Sequence, residues 1–592
     1  MLKLLAEYAQ KHGVESEPGF KSKYIRWAVV FDSQKGFLGV QALGDKKGRF
    51  FKKCPDLSQM EMVSGKETRS QFLVDDADVI IGNKAERYTY FVRLMEEAGK
   101  TSLKLASIAH WLNDVNTLEA VKQEFNAKKI RGSEDVTIII DGEFPLEHDY
   151  WHDWWREFRR PLVRKVNKDR RCFVTGEVTQ PMATHYKIEG LIGGRSTGDA
   201  LVGFDKEAFR SYGLEQSENA AISEKAMCAY RAGLNDLINR HGQRLTGVTT
   251  VHWFKEKVRD DEDPLPWLQG ALETPEQAEL DAQHRARKLL ESIKTGERAD
   301  LAKNIYYVMT LSGADGRVMV RDWIEGQFEE LAKNICAWFD DLEIVSFSDT
   351  RSARSPKLES VVTSLLPPRR NQNYEDWVKP VGSARVELLR SAIKGLFIPF
   401  SIISRLATVH RAFILSEEWN KLIKGERDAS TGLIYSMLYA RMGLIKAYHL
   451  RKNRKEGNTL TEELKPALNE NYPNPAYQCG RLMAVLAELQ RAALGDVGAG
   501  VIQRYYASAS TTPALVLGRL TRTSQFHLDK LETRLAYWYE GKIADIWSRI
   551  KSGVPRTLSL EEQSLFALGY YQQLADMRTK KSEKSGKEES NG

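Results

Sequence analysis

Apolar and polar positions alternate with a strand's period of two in the first part of the chain, and with a helix's period in the last. Ile25 to Phe31 and Phe37 to Leu43 are β-rich runs flanking Asp32-Ser33-Gln34-Lys35-Gly36, which predicts a hairpin. Phe72 to Ile81 reads as another extended segment, ended by Gly82-Asn83-Lys84, and the spacing of Ala85 to Ala98 predicts a helix. The β-branched run Thr137 to Asp141 closes this unit. Tyr150 to Val166 is expected to be helical, with Trp151, Trp154 and Trp155 on or near one face.

Connections lengthen after Arg240. Asp260-Asp261-Glu262-Asp263-Pro264 is a loop, and Pro275 opens a helix expected to run past Lys294. Asn304 to Leu311 and Arg317 to Asp322 read as strands around a Ser312 to Gly316 turn, followed by a helix from Trp323 to Phe339. Ser346 to Lys379, rich in Ser, Arg and Pro, reads as a poorly structured connector. From Val381 onward the pattern is helical: 384–416, 430–453, 476–494, 513–539 with a possible interruption, 542–552 and 559–577. The expected fold class is therefore α+β and multidomain, a mixed strand/helix N-terminal half followed by an all-helical C-terminal half. The expected domains are a mixed α/β unit at 1–142 and an α/β region at 143–345. A connector at 346–380 leads to a helical region at 381–470, a helical bundle at 471–577 and a disordered tail at 578–592.

Composition adjusts this picture little. A chain of 592 residues is too long for one core, and 42% hydrophobic with 28% charged residues is the mixture of a globular protein. No apolar run approaches the roughly 20 residues of a membrane span, and the acid-bearing start Met1 to Glu7 is an amphipathic helix rather than a signal peptide. Five scattered cysteines with no Cys-x-x-Cys pair argue against a zinc site or disulfide framework and fit a reducing cytoplasm. The net charge of +7 does not by itself announce a nucleic-acid binder, so local clusters carry more weight.

No enzyme signature survives inspection. Gly99-Lys100-Thr101 follows a helix where a phosphate-binding loop requires a strand, and Leu94 stands in place of its first glycine. His148, His152 and Asp153 place histidines four apart, as metal ligands on one helical face are, but no further His-Asp pair follows downstream. Pro55-Asp56 matches the start of a restriction-type nuclease motif whose Glu-x-Lys is missing at Glu61-Met62-Val63.

The remaining signals suit binding, with no cofactor and no metal expected. Loops at 46–53, 64–71 and 82–87 supply Lys46, Lys47, Arg49, Lys52, Lys53, Lys66, Arg69, Gln71, Asn83, Lys84 and Arg87. These residue types contact phosphates or read the acceptors of a minor groove. Asn83 and Lys84 are the preferred base-edge candidates, and Gln71 a wedge or reader. In the helical half Arg504, Arg519, Arg522, Lys530 and Arg534 accompany Tyr505, Tyr506 and Phe526, a mixture suited to single strands. Aromatic residues at helical spacing commonly serve a core, so the arginines carry this expectation more than the rings. Between these regions lies the small, polar loop Gly190 to Gly198, whose Arg195, Ser196 and Thr197 offer donors on a bare backbone. It can be a phosphate-approaching loop or only a tight turn.

Around that loop the residues fall in a characteristic order: Cys172 with Val174 to Gly176, then His185, Ile188 and Gly190, then Ser196 and Gly198. Ser211 to Gly213, Gln216 and Asn219-Ala220 follow. This series resembles the large-subunit family of the subtype I-C CRISPR Cascade surveillance complex. The opening helix, Pro18-Gly19-Phe20, the hairpin and residues 71–91 are similar to the family's start, although Asp76 and Asp78 are more acidic than expected there.

The resemblance implies a non-catalytic, DNA-binding subunit that recognises a short flanking motif (PAM) in double-stranded DNA. It implies further that the subunit promotes R-loop formation and stabilises the displaced strand. The implied partners are the CRISPR guide RNA, the target duplex, and the Cascade backbone and guide-handle-binding subunits. A separate small subunit and a recruited helicase-nuclease complete the set, with no membrane. The segment after Pro473 is similar in size and helical character to the small subunit, and internal translation slightly upstream of Met483 is a family possibility. A metal-dependent nuclease at His148/His152/Asp153 and a purely architectural protein are the alternatives.

Overall fold

A computed structural model describes the chain apart from residues 65–66, 164, 167, 246, 270–274, 348–351, 354, 370–371, 427–430, 458–461, 496–499, 551–552 and 590–592, and describes backbone only at 59–60, 63–64, 67, 241, 243–245, 275–281, 375 and 580–589. Two compact units result: Met1–Gly242 with Ser312–Met319, and Gln243–Leu311 with Val320–Gly592. Among the described residues, strands are confined to the part before Phe328 and helices make up nearly all the regular structure after it, so the α+β class holds.

The first unit is organised by four strands, β1 (Phe20–Ile25), β2 (Trp27–Asp32), β3 (Gly36–Ala42) and β4 (Arg49–Pro55). β2 and β3 form the expected hairpin, and β2 also pairs in parallel with Asp135–Ile140. β1 and β4 form a separate two-stranded antiparallel ribbon. The Trp cluster seals this unit: Trp151 and Trp155 are fully buried, Phe72 stacks on Trp155 at 5.6 Å, and Trp155 Nε1 donates to the Gly19 carbonyl at 2.8 Å. Burying the ring while pairing its one donor avoids the cost of a stranded polar group.

The second unit opens with the antiparallel strands Gln243–Leu245 and Val248–Phe254, the latter paired with the Ile305–Leu311 part of the strand Ile305–Ala314. Helices then build one continuous core around Phe328–Leu342, Thr431–Glu456, Pro475–Leu494 and Leu560–Glu589. The last two approach closely through glycine: a Cβ on Gly480 would strike the Phe566 carbonyl, and one on Gly569 would strike that of Tyr477.

Several expectations are corrected. The strand Arg317–Gln327 extends through Trp323, and the helix begins only at Phe328, where Glu329 and Glu330 favour its N-terminus. Residues 72–81 are a turn with Leu73 at φ 58°, a short strand Asp75–Asp76 and a helix Ala77–Ile80, because the Asp75 carboxylate binds the Gln71 and Asp76 amides. The Trp-bearing helix spans only His152–Arg159, since Pro161 lacks a donor to continue it. The expected helix over 384–416 is two, Gly382–Lys394 and Phe400–Ile414, broken at Gly395 (φ 64°) and Pro399. Within the supposed connector, Leu358–Thr363 is helical, and Val361, Val362 and Leu365 are core residues. The supposed tail starts inside the final helix, where Arg578 donates to the Ile423 carbonyl at 2.7 Å.

Candidate nucleic-acid interface

In the first unit the basic loops separate into free and engaged residues. Lys46 and Lys47 sit in the turn closed by the Asp45–Gly48 bridge, and Lys52 lies on β4; all three are exposed, with no carboxylate within 4 Å among the described residues. Arg49 is engaged by Glu147 at 2.5 Å and lies over Phe144, and Lys53 by Glu17 at 2.5 Å over Phe20. Arg69 is buried and donates to the Glu61 carbonyl at 2.8 Å. The Gln71 amide is committed at both ends to Leu57, accepting from its N–H at 2.7 Å and donating to its carbonyl at 2.8 Å. Lys66 lies outside the described residues.

The base-edge candidates meet the acids that departed from the family's pattern. Asn83 donates to Asp78 at 3.0 Å, Lys84 to Asp76 at 2.9 Å, and Arg87 to Asp75 at 2.5 Å and Asp76 at 3.3 Å. Asn83 and Lys84 are exposed, so these pairs are surface locks that a stronger anion can open, whereas the Asp75 end is buried.

Arg195, Ser196 and Thr197 stand exposed at a cavity of about 950 Å³, with Lys21, Gln71 and Arg231 on its walls. Glycines set the loop: Gly193 (φ 70°) and Gly198 (φ 82°) adopt left-handed conformations, and a Cβ on Gly194 would strike the buried Asp199 carboxylate. The Asp199 Oδ1 accepts from the Arg195 amide at 3.3 Å. Beneath the cavity, Lys21 (3.0 Å) and Arg231 (2.8 Å) hold Asp56, and both also reach Glu189. Burial would raise the Asp56 carboxyl, but the two cations overcome it and hold it well below the usual range. This network lines the cavity floor, and Arg195 is one of several cations at its rim, with Lys206 and Arg317 also exposed there.

In the second unit the helix Pro513–Leu528 buries Val516, Leu517, Leu520 and Leu528 and turns Leu515, Arg519, Arg522 and Phe526 outward at helical spacing. Phe526 is 69% exposed. Arg504, Lys530 and Arg534 are exposed too, and none of the five cations has an ion pair among the described residues. Tyr506 is buried against Tyr570, as the core reading of that ring anticipates. The exposed Tyr537 and Trp538, on the helix Thr533–Arg549, were not legible as surface aromatics, because their spacing is that of any amphipathic helix.

The candidate catalytic groups do not converge. His148 precedes the helix that His152 opens, so the two do not share a helical face. His152 packs edge-on to Trp151 and Phe20, and burial, then Lys53 and Arg156, lower its pKa. Asp153 pairs with Arg156 at the surface. Glu61 holds the buried Arg159, and in the second unit Asp263 holds His252 at 2.6 Å. Among the described residues no three His, Cys, Asp or Glu side chains are grouped to hold a metal ion, and no helix is long and apolar enough to cross a membrane.

No curated protein matches the sequence. The family described as CRISPR-associated protein (Cas_Csd1) matches residues 4–578, nearly the whole chain, and the chain belongs to that family.

Proposed function

We propose that this chain, a CRISPR-associated Cascade component, is the non-catalytic large subunit of a subtype I-C complex and the subunit that engages target DNA. In this reading it recognises the PAM in the duplex, promotes R-loop formation, holds the displaced strand and supports recruitment of a separate helicase-nuclease. The guide RNA reads sequence by pairing. Exchanging DNA pairs for RNA–DNA pairs is nearly balanced, so modest protein contacts tip the outcome.

The observation that carries the reading is the outward face of Arg519, Arg522, Phe526 and Lys530, cations without ion-pair partners among the described residues, beside an exposed ring. Phosphate neutralisation and base stacking are what a single strand requires of a protein. In a reconstituted guide-loaded complex, joint Arg519→Ala, Arg522→Ala and Lys530→Ala substitution is expected to leave capture of the duplex intact. The displaced strand should then lose protection from chemical probes, and the salt dependence should weaken by about 0.7 in log–log slope per lost contact. Unchanged protection and slope would refute the assignment of that face.

A further inference from the structure

The ribbon of β1 and β4 carries an outward-facing aromatic pair that neither the family nor the basic-loop reading assigns. Tyr24 and Phe50 are direct cross-strand partners, with ring centroids 5.1 Å apart and planes inclined by 54°. They are 54% and 45% exposed, while their neighbours Ile25 and Phe51 are buried in the core. Phe51 is buried between the exposed Phe50 and Lys52, so Lys52 emerges on the same side as Phe50, at the point where the register of the ribbon shifts opposite Ser22. Lys46 and Lys47 stand at the end of the ribbon, since Gly48 (φ 94°) lies so close to the Ile25 carbonyl that a Cβ would overlap it. That contact fixes their turn against the Ile25–Arg26 backbone, at the end of the ribbon next to Tyr24 in sequence. Two adjacent exposed rings thus share the ribbon with Lys52, and Lys46 and Lys47 lie in the turn at its end, three cations with no carboxylate within 4 Å among the described residues.

We propose that Tyr24 and Phe50 form a platform for an unpaired base of single-stranded DNA, with Lys46, Lys47 and Lys52 holding the flanking phosphates. Charge decides the occupant. A protein partner would bury the lysines, which protein interfaces disfavour, whereas a nucleic-acid strand supplies one phosphate per base. The strand is an opened one, because bases inside a duplex have no free face to offer. The inference rests on the reading above that this subunit works where a duplex opens, and adds the surface that receives a freed base.

The test uses the guide-loaded complex assembled with the full chain and a target duplex carrying a pre-opened bubble with 5-iododeoxyuridine at its unpaired positions. Ultraviolet crosslinks are expected on the peptide containing Tyr24 or Phe50. Combined Tyr24→Leu and Phe50→Leu substitution should weaken bubble binding about tenfold, the effect of one lost stack, while Tyr24→Phe with Phe50→Tyr restores it. Leucine variants that bind as well as the unmodified chain would overturn the platform. So would crosslinks to a 5-iodouridine-bearing guide instead of the DNA, or leucine variants that fold but fail to join the complex, which would mark the rings as a protein contact. If the unmodified complex binds no DNA at all, the parent reading fails first and the platform with it; if it binds and only the leucine arm is silent, the platform alone fails.

Discussion

Lys84 Nζ lies 2.9 Å from Asp76 Oδ2, and Arg87 reaches the same carboxylate from one turn further along. Both Lys84 and Asp76 retain solvent contact, so the pair contributes at most about 1 kcal/mol to stability. It nevertheless cancels a cation on the loop proposed to meet DNA. Asp76→Asn is therefore expected to change unfolding free energy by less than about 1 kcal/mol. It should also raise the affinity of the complex for DNA lacking the flanking motif and steepen the salt slope by up to about 0.9. Salt titrations of binding check this; an unchanged slope would show that Lys84 stays out of the contact.

That lock shows how much was legible in the sequence. The basic loops were visible as residue clusters, and two of the acids that occupy them were visible as a departure from the family's pattern. Their pairing was not, because it depends on residues 72–81 folding as a turn and short helix around the Asp75 carboxylate rather than as a strand. The Tyr24–Phe50 pair was hidden for a different reason: its members are 26 positions apart, with the whole β2–β3 hairpin between them. Helices of the second unit were read largely in place, since their periodicity is long. Their breaks were missed where Gly395 and Pro399 act inside an unbroken apolar pattern.

The buried network under the cavity predicts a pH dependence. Asp56 titrates far below its ordinary 3.8 because Lys21 and Arg231 outweigh the effect of burial. A depressed native pKa adds stability that is complete above the unfolded value and is lost as pH falls to and through the native one. Asp56→Asn, which removes the buried acid that Lys21 and Arg231 share and leaves them only Glu189, is expected to cost about 1.5–3 kcal/mol at neutral pH. Urea unfolding as a function of pH should show the gap between unmodified and variant protein narrowing below pH about 4. A gap independent of pH would contradict the pairing.

Gly480 and Gly569 predict a packing effect in the second unit. With no room for a Cβ against the Phe566 and Tyr477 carbonyls, Gly480→Ala forces the helices Pro475–Leu494 and Leu560–Glu589 apart. The expected loss is about 1–3 kcal/mol, read as a lower thermal midpoint. Gly518→Ala meets nothing within 4 Å and serves as the control, with little or no loss expected. Equal midpoints for the two variants would refute the close crossing.

The proposed role in DNA recognition is tested most directly by offering the guide-loaded complex a target duplex whose flanking bases are randomised, then sequencing what is bound. One short flanking motif is expected to be strongly enriched, and the enrichment to collapse when Asn83→Ala and Lys84→Ala are introduced together while guide assembly persists. Bound duplexes with flanks as random as the input would contradict it.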